Sequence, residues 1–218
     1  MILLLLAALF WIGWHVGVSG TALRDQVVTR MGETRFMILF SVVSVLAIFL
    51  LVMAYNAAPF IGLWIAPVWL RWLLALLMLP AFILFIASVT APNPTSAGQK
   101  PGAPRGITRI TRHPMLWSFA IWAVVHVLGN GDLASLLFFG AFAITALAGM
   151  PSIDAKIARR DPEGWARLAA GSSIIPFAAG APDWREIGPR PLLFGTVLWV
   201  GLLAAHPLAF GVPAIWLG

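Results

Sequence analysis

The 218-residue chain is 61% hydrophobic and only 10% charged, whereas about half apolar and a quarter charged residues are usual in soluble domains. This composition excludes an ordinary water-soluble domain and predicts an integral membrane protein. The absence of cysteine excludes disulfides, thiolate metal ligands and a cysteine nucleophile. The formal net charge is +6, but the basic residues lie in loops beside apolar segments, so membrane lipid headgroups are nearer partners than nucleic acid.

Six apolar segments approach the roughly 20 residues that cross a bilayer as a helix. They predict a single all-α, polytopic membrane domain over residues 1–218, without an internal repeat. The first segment lacks a basic N-terminal region and carries the bulky Trp11 and Trp14, so we interpret it as a retained span rather than a signal peptide. The predicted spans are residues 2–20, 36–55, 67–90, 114–130, 132–151 and 191–209.

The basic residues predict the orientation of these spans, because Lys and Arg accumulate in short cytoplasmic loops. All of the 14 Lys and Arg residues except Arg71 fall in alternate loops. Arg71 is expected near the outer end of the third span, where its apolar stem lets the charged head reach the interface. The pattern therefore predicts that both termini are extracytoplasmic, in what we expect to be a bacterial inner membrane.

The predicted cytoplasmic connections have distinct compositions. The loop "TAPNPTSAGQKPGAPRG" (90–106) is rich in Pro, Gly and Ser and is expected to be irregular. The stretch "SIDAKIARRDPEGWARLAAGSS" predicts two short amphipathic surface helices, divided at Asp161-Pro162 because proline fits a helix's first turn but not its interior. "SSIIPFAAG" predicts a partly inserted turn whose backbone needs protein cover. Residues 21–35 are expected to continue the first span as a polar helix.

Three of the four histidines, His15, His126 and His206, fall within predicted spans, and His113 precedes Pro114 at the cytoplasmic mouth of the fourth. An ionisable residue inside a membrane is a functional hypothesis by default. For any one of them, the alternative is a histidine that only hydrogen-bonds a neighbouring helix. Three histidines without an intramembrane carboxylate or thiol favour a metal-binding role, because neutral imidazole is a common metal ligand and a haem iron takes axial imidazoles readily. A carboxylate-poor pair of histidines on separate helices favours haem over a catalytic zinc, which usually takes three protein ligands.

Depth along the spans favours one pairing of these histidines. At a rise of 1.5 Å per residue, His126 lies about 20 Å and His206 about 22 Å from the cytoplasmic ends of their spans, but His15 only about 9 Å. Depth alone therefore pairs His126 with His206. Thirteen helical residues place His113 about 140° around the axis from His126, so we predict that His113 is an interface residue and not a ligand of the same cofactor.

Four blocks of the sequence, in order, resemble the NnrU family, and in particular its plant and cyanobacterial branch of zeta-carotene isomerases. They are "WHVGVSGTALRD", "RITRHPMLWSFAIWAVVHVLGNGD", "SIIPFAAG" and "HPL" at 206–208. The resemblance implies a haem b protein in which His15 and His126 are axial ligands of the iron, acting on an apolar polyene in carotenoid biosynthesis. Arg112, His113 and His206 match further positions and form an expected additional site.

The chain departs from the isomerase pattern at one position, because Ala123 stands where that branch has a cysteine three residues before the second ligand. The alternative is a haem-binding accessory membrane protein that supports nitrogen-oxide respiration, as the family name implies for some members. The R-H-P block also resembles membrane methyltransferases that hold S-adenosylmethionine, but Asp154 and Glu163 form no adjacent acidic pair. Three tryptophans are expected either to contact a rod-shaped apolar substrate or simply to pack: Trp11, Trp117 and Trp122.

Overall fold

A computed structural model describes residues 1–18, 20–96 and 99–215, and the regular secondary structure of these residues is helical, as predicted. The prediction that the C-terminus is extracytoplasmic concerns Gly218, which lies outside the described residues. In chain order, the helices are α1 (Ile2–Ile12), which continues as the π-helical segment Gly13–Val18, α2 (Ala22–Met31), α3 (Glu33–Asn56), α4 (Val68–Thr90), α5 (Ile107–Ile110), α6 (Pro114–Asn130), α7 (Leu133–Arg160), α8 (Pro162–Ala169), α9 (Trp184–Ile187) and α10 (Pro189–Phe210).

The number of spans differs from the prediction. Within the described ranges, four helices are long and apolar enough to cross a membrane, namely α3, α4, α7 and α10. A fifth span results if Ile2–Val18 and α2 count as one broken helix, bent by 75°. Helix α6, at 17 residues, is apolar but shorter. The predicted count of six spans is therefore not confirmed, although most of the described residues in each of the six segments are helical.

The expected polar continuation of the first span over residues 21–35 is wrong, and local chemistry explains why. Thr21 begins a new helix, since its Oγ1 accepts a hydrogen bond from the Leu23 backbone N–H, a normal N-cap contact. Gly32 ends that helix with a φ of 86°, a conformation that glycine adopts at little cost. Helix α3 then begins at Glu33.

The helices pack in two groups that share the α6–α7 contact. Helix α1 packs between α3 and α7, whereas α4 packs between α6 and α10. Many contacts use small residues: Ala47, Ala54, Ala81 and Ala123 are almost fully buried, and small side chains let helices approach closely in a membrane. Most large apolar side chains of α3 and α10 are exposed instead, as expected for surfaces that face lipid.

A tight turn sets the register between α6 and α7. Gly131 ends α6 in the left-handed conformation, with a φ of 69°. The Asp132 side chain then accepts a hydrogen bond from the Ser135 backbone N–H at 2.9 Å and so caps α7. The two helices are consequently antiparallel from the turn onward. The end of the bundle opposite this turn carries Arg24, Arg112 and Arg160 and is called the basic end below.

The connections that were predicted to be cytoplasmic agree with the sequence-based prediction in part. The break at Asp161-Pro162 is confirmed, because Asp161 caps α8 by accepting a hydrogen bond from the Gly164 N–H at 2.8 Å. Residues 152–160 do not form a separate surface helix as predicted, since α7 continues through Pro151 to Arg160. In the turn around Ile174, the Ile174 carbonyl accepts hydrogen bonds from Thr111 Oγ1 and Trp117 Nε1, whereas Ile175 and Phe177 are exposed.

Candidate functional site

Four aromatic side chains join the regions of His15 and His126. The ring of Trp11, on α1, lies 4.8 Å from that of Phe142, on α7, and Phe142 lies 5.4 Å from Trp122, on α6. Trp122 also meets Phe139 edge to face at 5.0 Å. Trp11, Trp122, Phe139 and Phe142 are called the aromatic layer below, and together they connect α1, α6 and α7.

His15 lies at one side of the aromatic layer, with its ring centroid 3.9 Å from that of Trp11. Its Nδ1 lies 2.9 Å from the carbonyl oxygen of Trp11. Because a carbonyl only accepts, Nδ1 carries the proton and the neutral ring has its lone pair on Nε2. Ser44 Oγ lies 3.3 Å from that Nε2, but the Ser44 hydroxyl already donates to the Phe40 carbonyl at 2.7 Å. The Nε2 lone pair is therefore weakly engaged.

His126 repeats this arrangement on α6. Its Nδ1 donates to the Trp122 carbonyl at 2.7 Å, and its ring stacks on Phe139 at 4.7 Å. Within the described part of the chain, no hydrogen bond reaches its Nε2. His206 has the same tautomer, since its Nδ1 donates to the Val212 carbonyl at 2.6 Å. All three predicted intramembrane histidines thus keep Nε2 as the basic nitrogen.

His15, in the π-helical segment after α1, and His126, on α6, contact different members of the aromatic layer. Helix α1 runs toward the basic end and α6 runs away from it, and each ring bends back one turn to the carbonyl four residues before it. The rings of Trp11, Phe142 and Trp122 connect the two sides. The pairings of His126 with His15 and with His206 both stay predictions.

The chemistry of these donors fits the haem that the sequence resemblance implies. A histidine that binds a metal usually donates its other ring N–H to a carbonyl or carboxylate, which fixes the tautomer and raises the basicity of the ligating nitrogen. His15 and His126 both do so. The Trp11 Nε1–H beside them is buried and has no partner among the described residues. The described residues contain no group of three His, Asp or Glu side chains placed to hold a metal ion.

Arg112 and His113 form a second cluster at the basic end, at the start of α6. Arg112 Nε lies 2.8 Å from Asp154 Oδ2, and His113 Nε2 lies 2.8 Å from Asp154 Oδ1. Arg112 also donates to the Ser172 carbonyl at 2.8 Å, and its guanidinium lies 5.0 Å from the ring of Trp165. The cluster is buried, and one carboxylate on α7 bonds both basic side chains.

Sequence reasoning did not assign Asp154 to this cluster, although a signal for it exists. Asp154 is the sole acidic residue within α7, in a helix whose remaining charges are basic. An adjacent acidic pair was expected for this kind of site, whereas the single carboxylate of Asp154 bonds both Arg112 and His113. Trp117, expected as a substrate contact or a packing residue, lies at this cluster and not in the aromatic layer, because its Nε1 donates to the Ile174 carbonyl at 2.7 Å.

Comparisons with known proteins agree with the resemblance found in the sequence. The chain is similar to the chloroplastic 15-cis-zeta-carotene isomerase of Arabidopsis thaliana, with 32% identity over 114 residues, which cover 49% of this chain and 31% of that protein. It is 31% identical over 112 residues to the chloroplastic 15-cis-zeta-carotene isomerase of Zea mays, covering 47% of this chain and 30% of that one. The chain thus spans less than a third of the length of these curated relatives. No solved structure matches it.

The model of the NnrU protein family matches residues 3–214, and the chain therefore belongs to the NnrU family.

Proposed function

We propose that this membrane protein is a cis–trans isomerase of a long polyene such as zeta-carotene, with a haem b held by His15 and His126. The observation that carries the proposal is the aromatic layer, which contacts two histidines with a basic Nε2, one after α1 and one on α6. The similarity to two proteins named 15-cis-zeta-carotene isomerase supplies the substrate class.

The side chains around the layer have distinct roles in this proposal. The Trp11 and Trp122 carbonyls hold the two imidazoles with Nδ1 protonated, so each Nε2 is ready to bind iron without losing a proton. The haem, when bound, supplies electron density that lowers the barrier to rotation about a polyene double bond, with no net redox change. Trp11, Trp122 and Phe142 form apolar walls that exclude water and stack on flat conjugated groups.

A second candidate is a haem-binding accessory protein that supports nitrogen-oxide respiration. One observation favours it: Ala123 stands where the isomerase pattern has cysteine. A membrane methyltransferase is the less favoured third candidate. Arg112 and His113, which would hold S-adenosylmethionine there, are both bonded to Asp154.

The finer localisation is part of the same proposal. We infer a bacterial inner membrane with both termini extracytoplasmic, because the basic residues of the chain, other than Arg71, fall in alternate loops.

One reconstitution experiment separates the three functions. The protein is purified in detergent, its absorption spectrum is recorded before and after reduction with dithionite, and it is then incubated with 15-cis-zeta-carotene while the isomers are separated by chromatography. We expect a haem b spectrum and faster isomerisation with the reduced protein than with free haem in the same detergent.

The other outcomes would contradict the proposal. A haem spectrum without turnover would favour the accessory protein, whereas saturable binding of radiolabelled S-adenosylmethionine without haem would favour the methyltransferase. The matched control is Trp184→Phe, since Trp184 lies on α9 and is exposed. That variant should keep both the spectrum and the turnover of the parent protein.

A further inference from the structure

Three helices bring charged side chains together at the basic end, namely the first turn of α2, the start of α3 and the last turn of α7. Arg24, on α2, is buried, and its guanidinium pairs with Glu33 and lies 3.4 Å from Asp25 Oδ1. Arg160, on α7, reaches the same Asp25 Oδ1 with its Nη2 at 3.9 Å. Five residues are called the α2–α7 cluster below: Arg24, Asp25, Glu33, Lys156 and Arg160.

Lys156 belongs to this cluster because of its register on α7. Residues four apart lie on one face of a helix, so Ser152, Lys156 and Arg160 share a face. Ser152 Oγ donates to the Gly20 carbonyl, just before α2, at 3.4 Å. One turn beyond Lys156, Arg160 meets Asp25 on α2. Lys156 therefore lies between these two contacts, on the face that α7 turns toward α2.

The cluster has an excess of positive charge, and its outer ion pair is weak. Two carboxylates oppose its three basic side chains, and the exposed Arg159 adds a further positive charge beside it. The Arg160 and Asp25 side chains are 53% and 56% exposed, and at 3.9 Å they are at the limit of an ion pair. Exposed pairs of this kind contribute little to stability. The Arg160 guanidinium is thus available to a stronger partner, such as a phosphate, which accepts two hydrogen bonds from it at once.

The surroundings of the cluster favour a lipid as the source of that phosphate. Arg24 lies over the ring of Phe36, in the first turn of α3, at 5.1 Å from the ring centroid. The next three residues of α3 are large, apolar and exposed: Met37, Ile38 and Leu39. A phosphate at the cluster would therefore stand at the end of an apolar helix surface, against which acyl chains can pack. Excess Lys and Arg at this level of a membrane attract anionic headgroups.

We propose that the α2–α7 cluster binds an anionic phospholipid, whose phosphate accepts hydrogen bonds from Arg160 and Lys156 while its acyl chains lie against α3. The phosphate replaces Asp25 as the partner of Arg160, and Asp25 keeps its contact with Arg24. Arg24 stays in place because Glu33 holds it. The site does not depend on the proposed isomerase function, since the contacts that define it involve neither of the proposed haem ligands.

The test measures thermal unfolding of the full chain in dodecyl maltoside micelles that contain increasing mole fractions of added lipid. A ligand that binds the folded state raises the unfolding temperature. Phosphatidylglycerol is compared with phosphatidylcholine of the same acyl chains, and with inorganic phosphate at the same ionic strength. We expect a saturable rise with phosphatidylglycerol and little or none with the other two. Equal rises with the two lipids, or a rise with inorganic phosphate as large as that with phosphatidylglycerol, would overturn the proposal.

Two variants with opposite expected effects locate the site. Arg160→Gln should need about fivefold more phosphatidylglycerol for the same rise, as roughly 1 kcal/mol for a basic residue near an anionic surface implies. Asp25→Asn should need less phosphatidylglycerol than the parent protein, because it removes the carboxylate that competes for Arg160. Weaker binding in Asp25→Asn would contradict the proposed exchange of partners.

The matched control is Arg185→Gln, which removes one exposed positive charge from α9. Its titration with phosphatidylglycerol should equal that of the parent protein. If Arg185→Gln weakens binding as much as Arg160→Gln does, the lipid responds only to the total charge of the basic end, and the assignment to the α2–α7 cluster is wrong.

Discussion

His113 and Asp154 are 41 residues apart in the chain, yet His113 Nε2 and Asp154 Oδ1 lie 2.8 Å apart. The bond joins the first residue before α6 to the last third of α7, at the end of the bundle opposite the α6–α7 turn. The other carboxylate oxygen is bonded to Arg112. Helices α6 and α7 are therefore held together at both ends, by the capped turn at Asp132 and by this buried cluster.

Removing the carboxylate of this cluster should strongly destabilise the fold. Asp154→Ala leaves the Arg112 guanidinium buried without a countercharge, and breaking a buried pair in this way costs about 3–5 kcal/mol. We expect a large fall in the thermal unfolding temperature in detergent. The unfolding temperature of Asp154→Asn should fall less, because the amide oxygen of asparagine still accepts one hydrogen bond.

The control for this experiment is Glu163→Ala. The Glu163 side chain is 90% exposed, and its nearest basic partner, Arg167, lies 3.9 Å away, so its removal should leave the unfolding temperature almost unchanged. Equal losses in the Asp154 and Glu163 variants would show that the buried cluster contributes nothing beyond an ordinary surface pair.

Two glycines on α10 provide a matched test of its packing on α4. A Cβ at Gly195 would lie 2.8 Å from Ile83 Cα and 2.9 Å from Ile83 N, and the backbone there cannot move aside easily. A Cβ at Gly201 meets nothing within 4 Å. Gly195→Ala should therefore destabilise the protein by about 1–3 kcal/mol, whereas Gly201→Ala should be neutral or stabilise by up to about 1 kcal/mol. Thermal unfolding in detergent measures both, and similar effects of the two changes would contradict the close α4–α10 contact.

Hydrophobic patterning located the helices because a membrane selects long apolar runs, and those runs are visible in sequence. It did not locate the bend near Thr21 or the length of α7. The start of α2 depends on the cap at Thr21 and its end on the positive φ of Gly32, and these local features are not reported by a window of mean hydropathy. Helix α7 extends past Pro151 to Arg160, and Asp154, in this extension, meets Arg112 at the basic end.

The candidate site was predictable in its residue types but not in its pairings. The positions of His15, His126 and His206 inside apolar segments identified them directly. Their shared tautomer could be anticipated only in part, since it depends on carbonyls four residues before His15 and His126 but on Val212 for His206. The link between His113 and Asp154 depends on the register of two helices, which a single sequence does not contain.

The orientation of the bundle can be measured directly because the chain has no cysteine. Single cysteines are introduced at Asn56, which is exposed at the end of α3, and at Glu163, which is exposed on α8. If the basic end is cytoplasmic, a membrane-impermeant maleimide should label Asn56→Cys in intact bacterial cells and Glu163→Cys only after permeabilisation. The reverse pattern would invert the predicted topology. Labelling of both in intact cells would show that the two residues lie on one side, against the span assignment.

The ligand pair of the proposed haem is tested by three variants purified side by side: His15→Ala, His126→Ala and His206→Ala. If His15 and His126 bind the iron, either change removes one axial imidazole from an apolar region of a chain without thiolates, so the iron should become high-spin or the haem should be lost. His206→Ala should then retain the spectrum. Loss in His126→Ala and His206→Ala, with retention in His15→Ala, would instead assign the pair that depth along the spans favours. If all three retain the spectrum, none of these histidines binds the iron, and each change should cost only the roughly 1–2 kcal/mol of a hydrogen bond within a membrane.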